Sequence, residues 1–74
     1  MYEEVYEAWR KERSELALQP LPKDFYDRIA EYTRKLKESQ RMLDEKTLKA
    51  RLLRRELENI RRLSRELTET RLNK

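Results

Sequence analysis

The chain contains no glycine, and its only two prolines lie close together, at positions 20 and 22. Glycine and proline are the residues that most readily interrupt regular structure, so a chain without other breakers is confined to a few long elements. Leu, Glu, Lys and Arg dominate the remainder, and all four favour helix. The sequence therefore predicts an all-α chain in which "QPLPKDFY", residues 19–26, is the one marked corner.

We expect a single helical domain over residues 1–74, with helices at about residues 2–17, 22–39 and 46–72. The first helix must end before Pro20, and Pro22 suits the first turn of the second. Apolar residues recur at helical spacing in each segment. They are Tyr2, Val5, Trp9 and Leu16 in the first, Phe25, Ile29, Tyr32, Leu36 and Leu43 in the second, and Leu53, Leu57, Ile60, Leu63 and Leu67 in the third.

The join between the second and third segments is poorly marked. "ESQRMLDEKT" contains no breaker, and Ser39 or Asp44 would be only moderate helix caps. We expect a turn within residues 39–46, which makes the architecture an N-terminal helix followed by an antiparallel helical hairpin. Such a chain would associate as a helical bundle or coiled coil. One unbroken helix over residues 22–72 is the alternative.

Composition excludes several classes of function. Only 36% of the residues are hydrophobic and 46% are charged, so we expect a thin core and a need for another chain. Cysteine and histidine are absent, which removes disulfides, the commonest metal ligands and the usual general base. We expect no enzymatic activity, no metal and no cofactor. No apolar run could span a bilayer and the acidic N-terminus is unlike a signal peptide, so we expect a cytoplasmic protein.

All six aromatic residues lie within the first 32 positions. They either pack the first helix onto the second or anchor a partner, because Trp and Tyr are enriched at interface hot spots. We expect the apolar stripes to form the interface with a partner or a further subunit, through Trp9, Phe25, Tyr26, Ile29, Tyr32, Leu36, Leu53, Leu57, Ile60 and Leu67.

Three charged residues, Glu12, Glu56 and Arg71, lie in phase with the apolar stripes. A charge that faces a packed interface must be paired, because an unpaired buried charge costs several kcal/mol. We therefore expect Arg71 or Lys74 to pair with a carboxylate from Glu12, Glu56 or a partner chain. The alternative is that the stripe runs out into water and the long side chains snorkel.

The third segment carries arginines on the face opposite its leucines. Residues 47–74 hold nine bases and four acids, within a chain of net charge +4. Flexible positively charged side chains can bind phosphates, and guanidinium groups also form bidentate hydrogen bonds with carboxylates. A solvated face is the alternative. The candidates for contact with phosphates or an acidic partner are Arg54, Arg55, Arg61, Arg62 and Arg65, and Arg51 shares their face.

Two stretches of the chain resemble a known family. "LPKDFYDRIAEYTRKL" resembles an early helical segment of GINS-complex subunits, and "RRELENIRRLSRELTETRLNK" is similar to a later helix of the same domain. The likeness covers roughly residues 15–74 and is greatest to archaeal subunits that carry the helical domain first. The matching positions are Leu21, Pro22, Phe25, Tyr26, Arg55, Glu56, Leu57, Asn59, Ile60, Leu67, Arg71 and Lys74.

The resemblance implies a non-enzymatic scaffold in DNA replication. Such subunits assemble with their own kind, as homo- or hetero-oligomers, and tether the replicative MCM helicase to a RecJ-like factor, primase or polymerase. They also carry a small β-rich domain, of which this sequence has no pattern, so we expect the N-terminal fragment of a longer subunit. The alternatives are a self-associating coiled-coil oligomer without a replication role and a basic helical module that binds nucleic acid.

Overall fold

A computed structural model describes all 74 residues and contains three helices and no strands. Helix α1 spans Tyr2–Ser14, α2 spans Phe25–Arg41 and α3 spans Leu48–Leu72. The all-α prediction is confirmed, and so is the break between the second and third segments. The alternative of one continuous helix over residues 22–72 is wrong, because residues 42–47 leave the helical path.

The corner between α1 and α2 is longer than the sequence predicted. Helix α1 ends at Ser14 instead of residue 17, because Glu15 is extended, with φ −107° and ψ 145°. Helix α2 begins at Phe25 instead of Pro22. The Phe25 amide donates to the Pro22 carbonyl in a tight turn, and the first α-helical bond runs from Arg28 to Asp24. The two prolines therefore shape a connecting segment, residues 15–24, and not the first turn of a helix.

The turn between α2 and α3 lies slightly later than predicted. Helix α2 continues to Arg41, and Thr47 is the N-cap of α3, where its hydroxyl accepts a hydrogen bond from the Ala50 amide at 3.2 Å. The Asp44 side chain accepts from the Lys46 amide within the turn. Threonine at this position satisfies one of the free amides of the first helical turn. Neither Ser39 nor Asp44, the caps named from the sequence, fills this role.

The helices pack with α3 as the shared element. The hydroxyls of Tyr26 and Thr68 are hydrogen-bonded at 3.2 Å, and Tyr32 contacts Glu56, so α2 and α3 run antiparallel. Helix α1 lies on α3 in the parallel sense, since Tyr2 is beside Glu56 and the other end of α1 is bonded to the C-terminal end of α3. The hairpin and the preceding helix therefore form a small helical bundle.

The core is a single narrow strip along the bundle. It consists of eight buried residues, Val5, Phe25, Ile29, Leu36, Leu57, Ile60, Leu63 and Leu67. The molecule measures 44 × 21 × 17 Å and its radius of gyration is 13.9 Å. A compact domain of this length would have a radius of about 11 Å. The bundle is thus an elongated rod with a large surface. None of its helices combines the length and apolar character needed to cross a membrane.

Candidate functional site

A buried carboxylate joins the C-terminal end of α3 to the end of α1. The Glu12 side chain is 0% exposed. It accepts hydrogen bonds from the Arg71 guanidinium at 2.7 Å, the Lys74 ammonium at 2.6 Å and the Gln19 backbone amide at 3.1 Å. We call Glu12, Gln19, Arg71 and Lys74 the Glu12 cluster. Its two cations neutralise a charge that would otherwise be buried at a cost of several kcal/mol.

The Lys74 ammonium also completes the end of α1. Its Nζ lies 2.8 Å from the Glu12 carbonyl oxygen, 2.9 Å from that of Glu15 and 3.0 Å from that of Ala17. The last carbonyls of a helix have no intrahelical partner, and a cation is favoured there by the helix dipole. Arg71 likewise donates to the Gln19 carbonyl at 2.5 Å. Both cations therefore hold the connecting segment against α3.

The electrostatics of Glu12 are set by two opposed effects. Burial by itself would raise the pKa of the carboxyl. The hydrogen bonds from Lys74, the Gln19 amide and Arg71 outweigh burial and lower the pKa of Glu12 below its usual value. The carboxylate is therefore ionised at neutral pH, and its charge is paired with two cations in a buried structural unit.

A second polar contact joins α2 to α3. The Tyr32 hydroxyl donates to the Glu56 carboxylate, and both residues are half-buried. Burial, together with this hydrogen bond, raises the pKa of Tyr32 to about 12. The sequence grouped Glu12, Glu56 and Arg71 as candidate ion-pair residues. The structure brings Glu12 together with Arg71 and Lys74, whereas Glu56 is bonded to a neutral phenol.

Most of the residues assigned from sequence to a partner interface are buried within the chain's own core. Phe25, Ile29, Leu36, Leu57, Ile60 and Leu67 belong to the core of the bundle. This corrects their assignment, because side chains buried against this chain's own helices have no surface left for another protein. Trp9, Tyr32 and Leu53 are half-buried, and only Tyr26 is exposed.

Other apolar residues are exposed at the surface instead. Leu16, Leu18 and Leu72 are 99%, 56% and 79% exposed. The sequence placed Leu16 on the packed face of the first helix, but the helix ends two residues earlier and the side chain points into solvent. A shallow groove of about 470 Å³ is lined by Leu18, Tyr26, Thr68, Arg71 and Leu72, and we call it the connector groove. It borders the Glu12 cluster through Arg71.

The arginines of α3 remain on the outer face of the rod. Arg51, Arg54, Arg55, Arg61, Arg62 and Arg65 are all exposed, and we call them the arginine face. Arg55 lines a surface groove with Tyr2 and Glu3 of α1, and none of the six makes a salt bridge within the chain. They are therefore available to a ligand from solution.

Sequence reasoning missed two features of these sites. In the sequence Gln19 is marked only by the proline that follows it, yet its amide donates to Glu12 and its carbonyl accepts from Arg71. Backbone groups in an irregular segment leave no signal in side-chain periodicity. The Tyr32–Glu56 contact had a signal that was not used, since both residues lie in phase with facing stripes of an antiparallel hairpin.

Comparison with known protein families, with curated proteins and with solved structures gives no match for this chain.

Proposed function

We propose that this chain is a non-enzymatic scaffold subunit of the GINS type. It acts in the cytoplasm during DNA replication and links the replicative MCM helicase to other replisome factors, such as a RecJ-like factor, primase or polymerase. It does so through contacts between helices, and it carries no catalytic group, metal or cofactor of its own.

The positions that carry the resemblance to GINS subunits have identifiable structural roles, and this supports the proposal. Four of the matching apolar positions lie in the core, at Phe25, Leu57, Ile60 and Leu67. Two matching cations, Arg71 and Lys74, converge on Glu12. A resemblance that reflected only a repeated charge pattern would have no reason to select the residues that define how the helices pack.

The observation that carries the proposal is the apolar surface at the Glu12 end of the rod. The connector groove presents Leu18, Tyr26 and Leu72 at the surface, and Leu16 projects from the adjoining segment. Protein interfaces use apolar and aromatic anchors surrounded by a polar rim, and an amphipathic helix is a common occupant of such a groove. The Glu12 cluster holds the connecting segment in place, so the anchors are arranged before a partner binds.

The occupant that fits this account is a helix of another GINS-type subunit. A second copy of this chain is the competing occupant, and it would make the protein a self-associating helical oligomer without a replication partner. Both occupants would cover the same leucines. They differ in whether the assembly contains a second kind of chain.

Co-expression with the GINS-type subunits and MCM helicase of the same genome tests the proposal. We expect the tagged chain to co-purify with a GINS-type subunit at equal stoichiometry through a high-salt wash. Replacing two groove leucines, Leu18→Glu with Leu72→Glu, should abolish that capture. The matched control is Met42→Glu with Leu48→Glu, two exposed apolar residues at the opposite end of the rod, which should leave it intact. Recovery of the chain alone, or only as a homo-oligomer, would contradict the scaffold function.

A further inference from the structure

The outer surface of α3 is a continuous row of charge. Within residues 51–65, the sector that faces away from the core spans about 120° and holds seven residues, six arginines and Glu58. All seven are exposed. The row is about 21 Å long, which corresponds to about six base pairs of a duplex. No apolar or aromatic side chain interrupts it.

The six arginines have no partners within the chain. No carboxylate oxygen lies within 4.0 Å of their side-chain nitrogens, and they make no side-chain hydrogen bonds. The sequence spacing would permit a pair between Glu58 and Arg62, but the structure does not form it. By contrast, Arg10, Arg28 and Arg34 on the other two helices are each paired with a carboxylate. Six unpaired guanidinium groups are thus gathered on one face of one helix.

The composition of this row distinguishes between a protein and a nucleic acid as its partner. The centre of a protein interface uses arginine together with apolar and aromatic anchors, and this face lacks such anchors. Interfaces with nucleic acid are polar and strongly positive, and most of their hydrogen bonds go to phosphates and sugars. The planar guanidinium group of arginine can also donate two parallel hydrogen bonds to phosphate oxygens. The face therefore fits a phosphate backbone better than a protein surface.

The geometry further favours a duplex over a single strand. A straight helix holds its arginines in a fixed row, which suits the regular phosphate array of a duplex. Binding to single strands relies on aromatic side chains on which bases stack, and none lies on this face. We propose that the arginine face of α3 binds the phosphate backbone of double-stranded DNA without reading its sequence. This inference is independent of the scaffold function, because it concerns a different surface of the rod.

Fluorescence anisotropy of the full chain with a labelled random-sequence duplex of about 20 base pairs tests this inference. We expect binding at low salt that weakens steeply between about 50 and about 200 mM salt, with a log–log slope of about −3.6 to −5.4 for four to six phosphate contacts. The double variant Arg54→Gln with Arg61→Gln should make this slope shallower by about 2, one for each lost phosphate contact.

The matched control removes two positive charges from another helix. Lys37→Gln with Arg41→Gln changes exposed, unpaired residues on α2, and it should leave the slope unchanged. Equal losses in the two double variants would mean that only net charge matters, and would overturn the inference. Tighter binding of a single strand of the same length would overturn the choice of a duplex. Displacement of the duplex by polyglutamate at equal charge would show instead that the face recognises acidic chains.

Discussion

A carboxylate without solvent contact is stable only if its charge is balanced, and Glu12 is balanced by residues that lie 59 and 62 positions away in the sequence. Arg71 and Lys74 each approach one of its oxygens. The side chains of the two cations are only 23% and 16% exposed, so solvent screens these contacts less than it screens the surface pairs of α1 and α2. At the residue scale, loss of this cluster should therefore lower stability more than loss of any surface ion pair.

Replacing Arg71 by alanine should lower the free energy of unfolding by about 2–3 kcal/mol, because it leaves Glu12 with one cation and the Gln19 carbonyl without its donor. Urea unfolding followed by circular dichroism measures this. Arg65→Ala is the control, since Arg65 is exposed and unpaired on the same helix and should change stability by less than about 0.5 kcal/mol. Equal stabilities of the two variants would show that the cluster is dispensable.

The lowered pKa of Glu12 makes stability depend on pH in a defined direction. The folded protein holds its proton less tightly than the unfolded chain, in which the pKa is near the ordinary value of 4.5. The contribution is therefore fully present above pH 4.5 and is lost as the pH falls below that value. We expect the unfolding free energy of the wild type to fall more steeply in this range than that of Glu12→Gln.

At high salt, the acid titration reports mainly on Glu12 and less on the surface carboxylates. Hydrogen bonds from Arg10 and Arg34 also lower the pKa values of Glu7 and Glu31, and these carboxylates are at the surface. Salt screens exposed pairs far more than buried ones. The difference in pH slope between wild type and Glu12→Gln should therefore survive at high salt. Identical slopes would mean that Glu12 does not titrate differently in the folded state.

Tyr32 should reveal its contact with Glu56 in an alkaline titration. Its pKa is raised to about 12 from an ordinary value of 10.0, so its contribution to stability is present below pH 10.0 and is lost as the pH rises towards about 12. Ultraviolet absorbance should show a tyrosinate component with an apparent pKa of about 12. That component should be missing in Tyr32→Phe. If it persists in the variant, it belongs to another tyrosine.

At the scale of the helices, the start of α3 depends on one hydroxyl. Thr47→Ala removes the acceptor for the Ala50 amide and should cost about 1 kcal/mol of stability. Ser39→Ala is the control, because Ser39 lies within α2 and its side chain makes no hydrogen bond in the structure. Urea midpoints of the two variants give the comparison. A larger loss for Ser39→Ala would show that Ser39, and not Thr47, contributes the more important cap.

The helices themselves were predictable, and their ends were less so. Absence of glycine and the 3.6-residue repeat of apolar residues defined three helices and the stripes that form the core. The ends depend on hydrogen bonds of particular backbone groups, such as the Phe25 amide with the Pro22 carbonyl. Periodicity carries no information on these bonds. This is why α1 ends three residues early and α2 begins three residues late.

The same limit applies to the candidate site. The phase of Glu12 and Arg71 within apolar stripes predicted that their charges would need partners, and the structure pairs them. The carboxylate that pairs with Arg71 is determined by how α1 lies against α3. The sequence did not define this packing. The assignment of core residues to an external interface failed for a related reason, because one apolar stripe can serve either purpose until the packing is known.

At the scale of the whole molecule, the two ends of the rod differ. The Glu12 end combines a fixed connecting segment with exposed leucines, and the other end is the turn at residues 42–47. The arginine face runs between them on the outside of α3. This separation would let the rod hold a protein at one end and a phosphate backbone along its side.

Hydrogen–deuterium exchange of the chain, alone and with a co-purified GINS-type subunit, tests the central claim most directly. The account predicts that the partner slows amide exchange at Leu16, Leu18 and Leu72 but leaves exchange in the turn at residues 42–47 unchanged. Unchanged exchange at the three leucines, with protection elsewhere on the rod, would contradict the claim that the connector groove is the docking surface.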